Sequence, residues 1–180
     1  MYIWVAFDVS EQVRELREYA ECYVAGLGLD SPTLTLPFHI SLKISFQIPD
    51  ERVGEAVCEI RQFCQSLKPF SIGVKGIEQN GPIVWLTMKD TLELTHIHRE
   101  LDQLMLQKYG VEQHPFDQDF IFHTSILIMD CAEQASHALH SIKDVEIPHT
   151  LQGKRVIIGS SVSGQAGTYH VDEVIEIESK

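Results

Sequence analysis

The sequence predicts an α+β fold in which helices cover β-sheets, and two observations support this prediction. Short apolar runs typical of strands alternate with longer segments whose apolar residues recur at helical spacing. The order strand, helix, strand, helix, strand occupies the first half of the chain and begins again near Pro82. With 180 residues, 44% of them hydrophobic, the chain can bury a core as one domain or as two small lobes that share one.

The first half contains three predicted strands and two predicted helices. The strands are residues 2–9, 38–46 and 70–78, and the helices are residues 11–27 and 51–67. Apolar residues of the second helix keep a single stripe, as expected for a helix that covers a sheet. This stripe consists of Val53, Ala56, Val57, Ile60, Phe63, Cys64 and Leu67.

The second half begins with a strand at 83–88 and a helix at 91–109. The apolar stripe of that helix consists of Leu94, Ile97, Leu101, Leu104 and Met105. A strand at 119–128, a helix at 131–142 and two strands near 153–162 and 168–177 complete the chain. No linker or low-complexity stretch divides the halves, so we predict a single two-lobed domain over 1–180, with approximate halves at 1–80 and 81–180.

Two strings of residues carry the clearest functional signal. His39 and Ser41 are two residues apart inside one apolar run, and His123 and Ser125 repeat this spacing inside another. Because side chains alternate faces along a strand, each histidine points the same way as its serine. A single histidine in a strand is more often structural than catalytic, but the duplication in two similar settings favours a functional site.

Two imidazoles and two hydroxyls that face a common point are suited to acid and base chemistry on a phosphate. One imidazole can accept a proton from the attacking group while the other donates one to the leaving oxygen. The side chains of Ser41 and Ser125 can donate hydrogen bonds to phosphoryl oxygens; their alternative role is solvation at a strand edge. The sequence does not indicate which of His39 and His123 is the acid.

The two His-x-Ser-hydrophobic strings resemble the signature of the 2H phosphoesterase superfamily, whose members include 2′-5′ RNA ligase-like proteins and cyclic phosphodiesterases. The opening strand, the 83–86 run and the segment from Ser160 through Tyr169 extend this resemblance over nearly the whole chain. It implies a two-lobed, pseudo-symmetric fold with antiparallel sheets that line a central cleft and helices on the outside. The two histidine strands are then expected at the centre, with their polar pairs in the cleft.

Further residues are candidates for substrate binding. Lys43 shares strand parity with His39, so in a regular strand its ammonium reaches toward the phosphate; the alternative is a solvated lysine. The resemblance places Tyr169 at the cleft rim, where its ring can stack on a base; the alternative is an ordinary strand aromatic. Trp4 and Trp85 are expected to pack in the core.

Other patterns do not indicate a metal or a cofactor. His137 and His140 lie at i, i+3 on a helix, but no third ligand is identifiable. No Walker motif is present, so ATP use is not indicated. Four cysteines without ligand spacing indicate thiols in a reducing compartment. With no signal-like N-terminus and no membrane-length apolar run, we expect a cytoplasmic monomer that binds no membrane.

The charge balance limits the choice of substrate. The chain has 14 Lys and Arg against 26 Asp and Glu, a net charge of −12, whereas binding to long nucleic acid requires a basic face. We therefore predict a small nucleotide or an RNA-end phosphodiester as the partner. The predicted activity is a metal-independent phosphodiesterase acting on a small cyclic phosphate or an RNA-end 2′,3′-cyclic phosphate. The alternatives are 2′-5′ RNA ligase-type activity and a non-catalytic nucleotide-binding module.

Overall fold

Two four-stranded antiparallel sheets form the centre of the computed structural model, which describes residues 1–117 and 119–178. The strands of the first sheet are ordered β2-β1-β7-β8 and those of the second β5-β4-β3-β6. The strands are β1 (Tyr2–Asp8), β2 (His39–Gln47), β3 (Phe70–Asn80), β4 (Ile83–Lys89), β5 (His123–Ile128), β6 (Thr150–Gly153), β7 (Arg155–Ser161) and β8 (His170–Glu176). This architecture confirms the predicted α+β class with antiparallel sheets.

Four helices pack against these sheets: α1 (Arg14–Leu27), α2 (Val53–Ser66), α3 (Leu92–Tyr109) and α4 (Ala132–Ile142). Helices α1 and α4 pack on the second sheet, whereas α2 contacts β8 and α3 contacts β2 of the first sheet. Their apolar stripes are buried as predicted, for example at Ile60 and Leu101. No helix within 1–117 or 119–178 combines the length and the apolar character needed to cross a membrane.

The two sheets do not correspond to the predicted halves 1–80 and 81–180. Strand β3 pairs with β4 across the short turn at Gly81, so the last strand of the first half belongs to the second sheet. Strands β7 and β8 return to the first sheet, where β7 pairs with β1. One continuous apolar cluster runs through both sheets and includes Val5 and Phe7 as well as Leu86.

Two predicted strand boundaries differ from the structure. The strand predicted at 119–128 begins only at His123, because the preceding residues form a loop. The strand predicted near 153–162 corresponds to β7, whereas β6, which precedes it and lies in the other sheet, was not predicted. Strand β6 has four residues, too few for the alternation of polar and apolar side chains to identify it.

Candidate active site

The two histidine strands occupy equivalent positions in the two sheets. Strand β2 is the edge strand beside β1, and β5 is the edge strand beside β4. The two edge strands also contact each other, which brings the two halves of the site together. His39 and Ser41 are half-buried on either side of a buried Ile40, and His123 and Ser125 repeat this pattern. Each histidine therefore shares a face with its serine, as predicted.

Both imidazoles are oriented by the same backbone contact. His39 Nδ1 lies 2.8 Å from the carbonyl oxygen of Pro37, and His123 Nδ1 lies 2.7 Å from that of Ile121. Because a carbonyl oxygen can only accept, each Nδ1 is the donor and carries the hydrogen. In the neutral ring this leaves the lone pair on Nε2, so Nε2 is the atom that can exchange a proton with a substrate.

Each histidine also packs against a tryptophan. The rings of Trp4 and His39 are 4.7 Å apart at an angle of 46°, and those of Trp85 and His123 are stacked at 4.0 Å and 22°. We expected both tryptophans in the core: Trp4 is buried there, although beside the site, whereas Trp85 is only half-buried. Trp4 belongs to a small cluster separate from the main core, and Trp85 lines a cleft. Trp4 and Ala6 are two residues apart in β1 and therefore lie on the same face, and Ala6 pairs with Ser41 of β2. The alternation of side chains along β1 thus places Trp4 on the face of the site, a signal that the sequence analysis did not use.

The environment lowers the pKa of both imidazoles. Burial is the main cause of the lowered pKa of His39, the charge of the nearby His123 lowers it further, and the Pro37 carbonyl and Asp8 oppose the shift. Burial likewise lowers the pKa of His123, opposed by the Ile121 carbonyl. The charge of His123 acts on His39, so the two rings lie within electrostatic range of each other.

A cleft of about 580 Å³ opens beside His123. Its lining is largely apolar and aromatic, and it comes from β2, the end of β3, β4, the loop before β5 and the start of β5. The lining residues are Ile44, Asn80, Ile83, Trp85, Pro115, Phe116, Asp119, Phe120, Ile121 and His123. None of these described residues is Lys or Arg. Among them, Asp119, Phe120 and Ile121 were missed because the sequence analysis assigned 119–122 to a strand.

Tyr169 lies on the His39 side of the site. Its half-buried ring packs with Trp4, Ala6 and Ile157, and its hydroxyl is 2.5 Å from the Ser45 hydroxyl. The same hydroxyl donates to the carbonyl oxygen of Gly164 at 3.2 Å. The ring thus shares a cluster with the tryptophan that packs on His39, and its role in substrate binding stays a prediction.

The prediction that Lys43 reaches a phosphate is wrong. Its side chain is 2% exposed, and its ammonium lies 2.6 Å from Asp102 Oδ1 and 3.0 Å from Asp117 Oδ2. Val5 pairs with Lys43 while Ala6 pairs with Ser41, so Leu42 is an extra residue in the strand. This β-bulge ends the regular alternation, and Lys43 points into the protein instead of sharing the face of His39.

Comparisons with known proteins identify the family of this chain. The family model of the 2′-5′ RNA ligase superfamily matches residues 5–164. A Bacillus cytotoxicus protein that carries the name of a phosphoesterase is 24% identical over 106 residues. That match spans 57% of this chain and 57% of the relative, so the chain matches little more than half of the relative's length.

Solved structures share the fold over nearly the entire chain. The TT0787 protein of Thermus thermophilus superimposes with a TM-score of 0.67 at 15% identity, covering 98% of both chains. E. coli LigT complexed with NADP+ gives a TM-score of 0.60 at 14% identity, covering 98% of this chain and 97% of LigT. LigT complexed with 3′-AMP gives 0.56 at 15% identity and covers 98% of both chains. These likenesses establish the fold, and the family match, with the two His-x-Ser strands, shows that the chain belongs to the 2′-5′ RNA ligase superfamily of 2H phosphoesterases.

Proposed function

We propose that this protein is a metal-independent phosphodiesterase that hydrolyses a small cyclic phosphodiester or the 2′,3′-cyclic phosphate of an RNA end. The observation that carries the proposal is the matched pair His39 and His123. Each ring is fixed by a hydrogen bond from Nδ1 to the carbonyl two residues earlier, and each packs on a tryptophan. Both Nε2 atoms are thereby held ready for proton transfer.

Hydrolysis requires one neutral and one protonated imidazole. The neutral ring accepts a proton from a water molecule as the water oxygen bonds to phosphorus. The protonated ring donates its proton to the ribose oxygen as the bond between that oxygen and phosphorus breaks. The product is a phosphomonoester with a free hydroxyl, and the two rings have exchanged protonation states. Ser41 and Ser125 donate hydrogen bonds to the non-bridging oxygens and offset the charge that develops there.

The charge of the cleft favours a substrate with a single negative charge. Its described lining contains Asp119 and no Lys or Arg. Arg155, which lies near the His39 strand, already interacts with Asp8 and Glu11. A cyclic diester carries one negative charge, whereas a terminal monoester or a polyphosphate carries more. Because the described lining offers no Lys or Arg to offset additional charge, binding of the diester is favoured over binding of the more highly charged ligands.

The test is hydrolysis of a panel of 2′,3′-cyclic nucleotides and 2′-5′-linked dinucleotides in excess EDTA. We expect turnover of a 2′,3′-cyclic nucleotide by the wild type, and a loss of about 10²- to 10⁴-fold in kcat for His39→Ala and for His123→Ala. The matched control is His96→Ala, which removes an imidazole that is 64% exposed on α3 and should leave turnover unchanged.

Three other outcomes would overturn the proposal. Turnover that either histidine variant retains would exclude the two-histidine mechanism. Turnover restricted to 2′-5′-linked dinucleotides would favour the RNA ligase-type activity. Binding of a nucleotide without any turnover would favour a nucleotide-binding module.

A further inference from the structure

The lysine that does not reach the cleft is the centre of a buried charged cluster. Lys43 on β2 pairs with Asp102 on α3 and with Asp117 in the loop before β5. His98 on α3 completes the cluster, because its Nε2 lies 3.5 Å from Asp102 Oδ2 and 3.7 Å from Asp117 Oδ1. His98 Nδ1 donates to the Leu42 carbonyl at 2.7 Å, which joins α3 to the bulge in β2.

The cluster has the donor set of a metal site, since atoms of His98, Asp102 and Asp117 lie within 4.8 Å of one another. The Lys43 ammonium, however, already lies between the two carboxylates and provides the positive charge that they require. The arrangement therefore fits an internal ion-pair network better than a cation site.

Asp117 is the link between this network and the cleft. It belongs to the site loop, which we define as residues 114–117 and 119–122. Its side chain is fully buried, whereas the neighbouring Pro115, Phe116 and Asp119 are exposed. Asp117 Oδ2 also accepts the backbone N–H of His114 at 2.6 Å. One carboxylate thus holds the turn of the loop and anchors it to Lys43.

The site loop in turn forms a wall of the cleft and orients His123. Phe116, Phe120 and Ile121 line the cleft. The Phe120 ring stacks on His98 with centroids 4.6 Å apart, which joins the loop to the buried cluster a second time. The carbonyl oxygen of Ile121 accepts the hydrogen bond from His123 Nδ1. The position of the loop therefore sets the position of the acceptor that orients the imidazole.

We propose that Lys43 and Asp117 are positioning residues: their buried ion pair holds the site loop so that the Ile121 carbonyl fixes the His123 ring and the aromatic wall faces the cleft. Only the expected effect of these two residues on kcat/KM rests on the proposed function. The orientation of the His123 ring is a property of the protein alone and can be measured without a substrate.

The experiment compares Asp117→Asn with Asp102→Asn. Both substitutions remove one buried carboxylate charge beside Lys43, but only Asp117 belongs to the site loop. The first readout is NMR of ¹⁵N-labelled imidazoles, in which the two ring nitrogens report the tautomer and the titration of His123. The second is kcat/KM on a diester that the wild type hydrolyses.

For Asp117→Asn we expect altered His123 nitrogen shifts and a loss of kcat/KM of about 10- to 100-fold, the scale expected when a reacting group moves by up to 1 Å. Asp102→Asn should leave the His123 signals close to those of the wild type. If Asp117→Asn does not fold, Asp117→Glu keeps the charge but lengthens the side chain, so it must displace the loop and shift the same signals.

Equal His123 signals in the two Asn variants, or wild-type signals in Asp117→Glu, would show a merely structural ion pair and overturn this proposal. A Zn²⁺-dependent rise in the unfolding midpoint, lost in both Asn variants, would show a metal site and would also overturn it. Absence of wild-type turnover on every diester would instead contradict the proposed function, while the NMR comparison would still decide the role of Asp117.

Discussion

Replacing Lys43 with methionine tests whether the buried cluster stabilises the fold. Methionine keeps most of the apolar length of the lysine side chain, so the main change is the loss of the ammonium group. The carboxylates of Asp102 and Asp117 are 3% and 0% exposed, and both lie within 3.0 Å of that ammonium. Without it, two buried carboxylates remain together with no cation between them.

The expected magnitude follows from the burial of the pair. Removing one partner of a buried ion pair costs about 3–5 kcal/mol, because a buried charge is left uncompensated. For a chain of this size 1 kcal/mol corresponds to roughly 2–4 °C, so the unfolding midpoint should fall by about 6–20 °C. The control is Lys75→Met, which removes the partner of Glu78 from a pair that is 59% and 44% exposed. That exposed pair should contribute at most about 1 kcal/mol.

The assay is urea unfolding followed by circular dichroism, with the free energy of unfolding obtained by linear extrapolation. The triple variant Lys43→Met, Asp102→Asn, Asp117→Asn provides a second test. It removes the buried charges together with their partner, and it should regain much of the stability lost in Lys43→Met. Equal, small losses in Lys43→Met and Lys75→Met would refute the reasoning, as would a triple variant no more stable than Lys43→Met.

Two further predictions concern the histidines and the residues that pack beside them. Because burial lowers the pKa of both His39 and His123, the state with one protonated ring is most populated below about pH 6.5. The value of kcat/KM should therefore peak below that pH and fall about tenfold per pH unit once both rings are neutral. A maximum of kcat/KM above about pH 7 would contradict this prediction. At Gly159 a Cβ would overlap the Trp4 indole, so Gly159→Ala should cost about 1–3 kcal/mol in urea unfolding and reduce turnover by displacing the ring that packs on His39. The control is Gly54→Ala, where an added Cβ meets nothing within 4 Å and turnover should be unchanged. Equal turnover and stability of the two variants would refute the packing argument.

The same lowered pKa values determine how stability depends on pH. The folded protein binds protons at these two histidines more weakly than the unfolded chain, whose imidazoles titrate near about pH 6.5. Their contribution to stability is therefore fully present above that pH and is lost as the pH falls through the folded-state pKa values. His39→Ala should show a smaller loss of stability on acidification than the wild type.

Local periodicity explains how much of the fold could be predicted. The helices have long apolar stripes, and their predicted bounds agree with the structure to within a few residues. The histidine faces follow from the two-residue period of a strand, which depends only on neighbouring residues. Sheet membership could not be predicted in this way, because the pairing of β7 with β1 joins residues that are about 150 positions apart in the chain.

The position of Lys43 shows why part of the site could not be predicted. In both histidine strands an extra residue follows the His-x-Ser string, Leu42 in β2 and Ile126 in β5. A bulge is set by the pairing of a strand with its neighbour, so nothing within the strand's own sequence marks it. Parity arguments therefore hold for the histidine and the serine but fail two residues later.

The two bulges also explain why a lysine can occupy this position. The position in β5 that corresponds to Lys43 is Leu127, which is completely buried and belongs to the main core. A lysine at such a position is costly unless carboxylates meet it. Asp102 and Asp117 are contributed by a helix and a loop that are distant from β2 in the sequence. The cost of burying Lys43 is thus offset by the contact that holds the site loop against β2, which links the stability of this sheet edge to the geometry at His123.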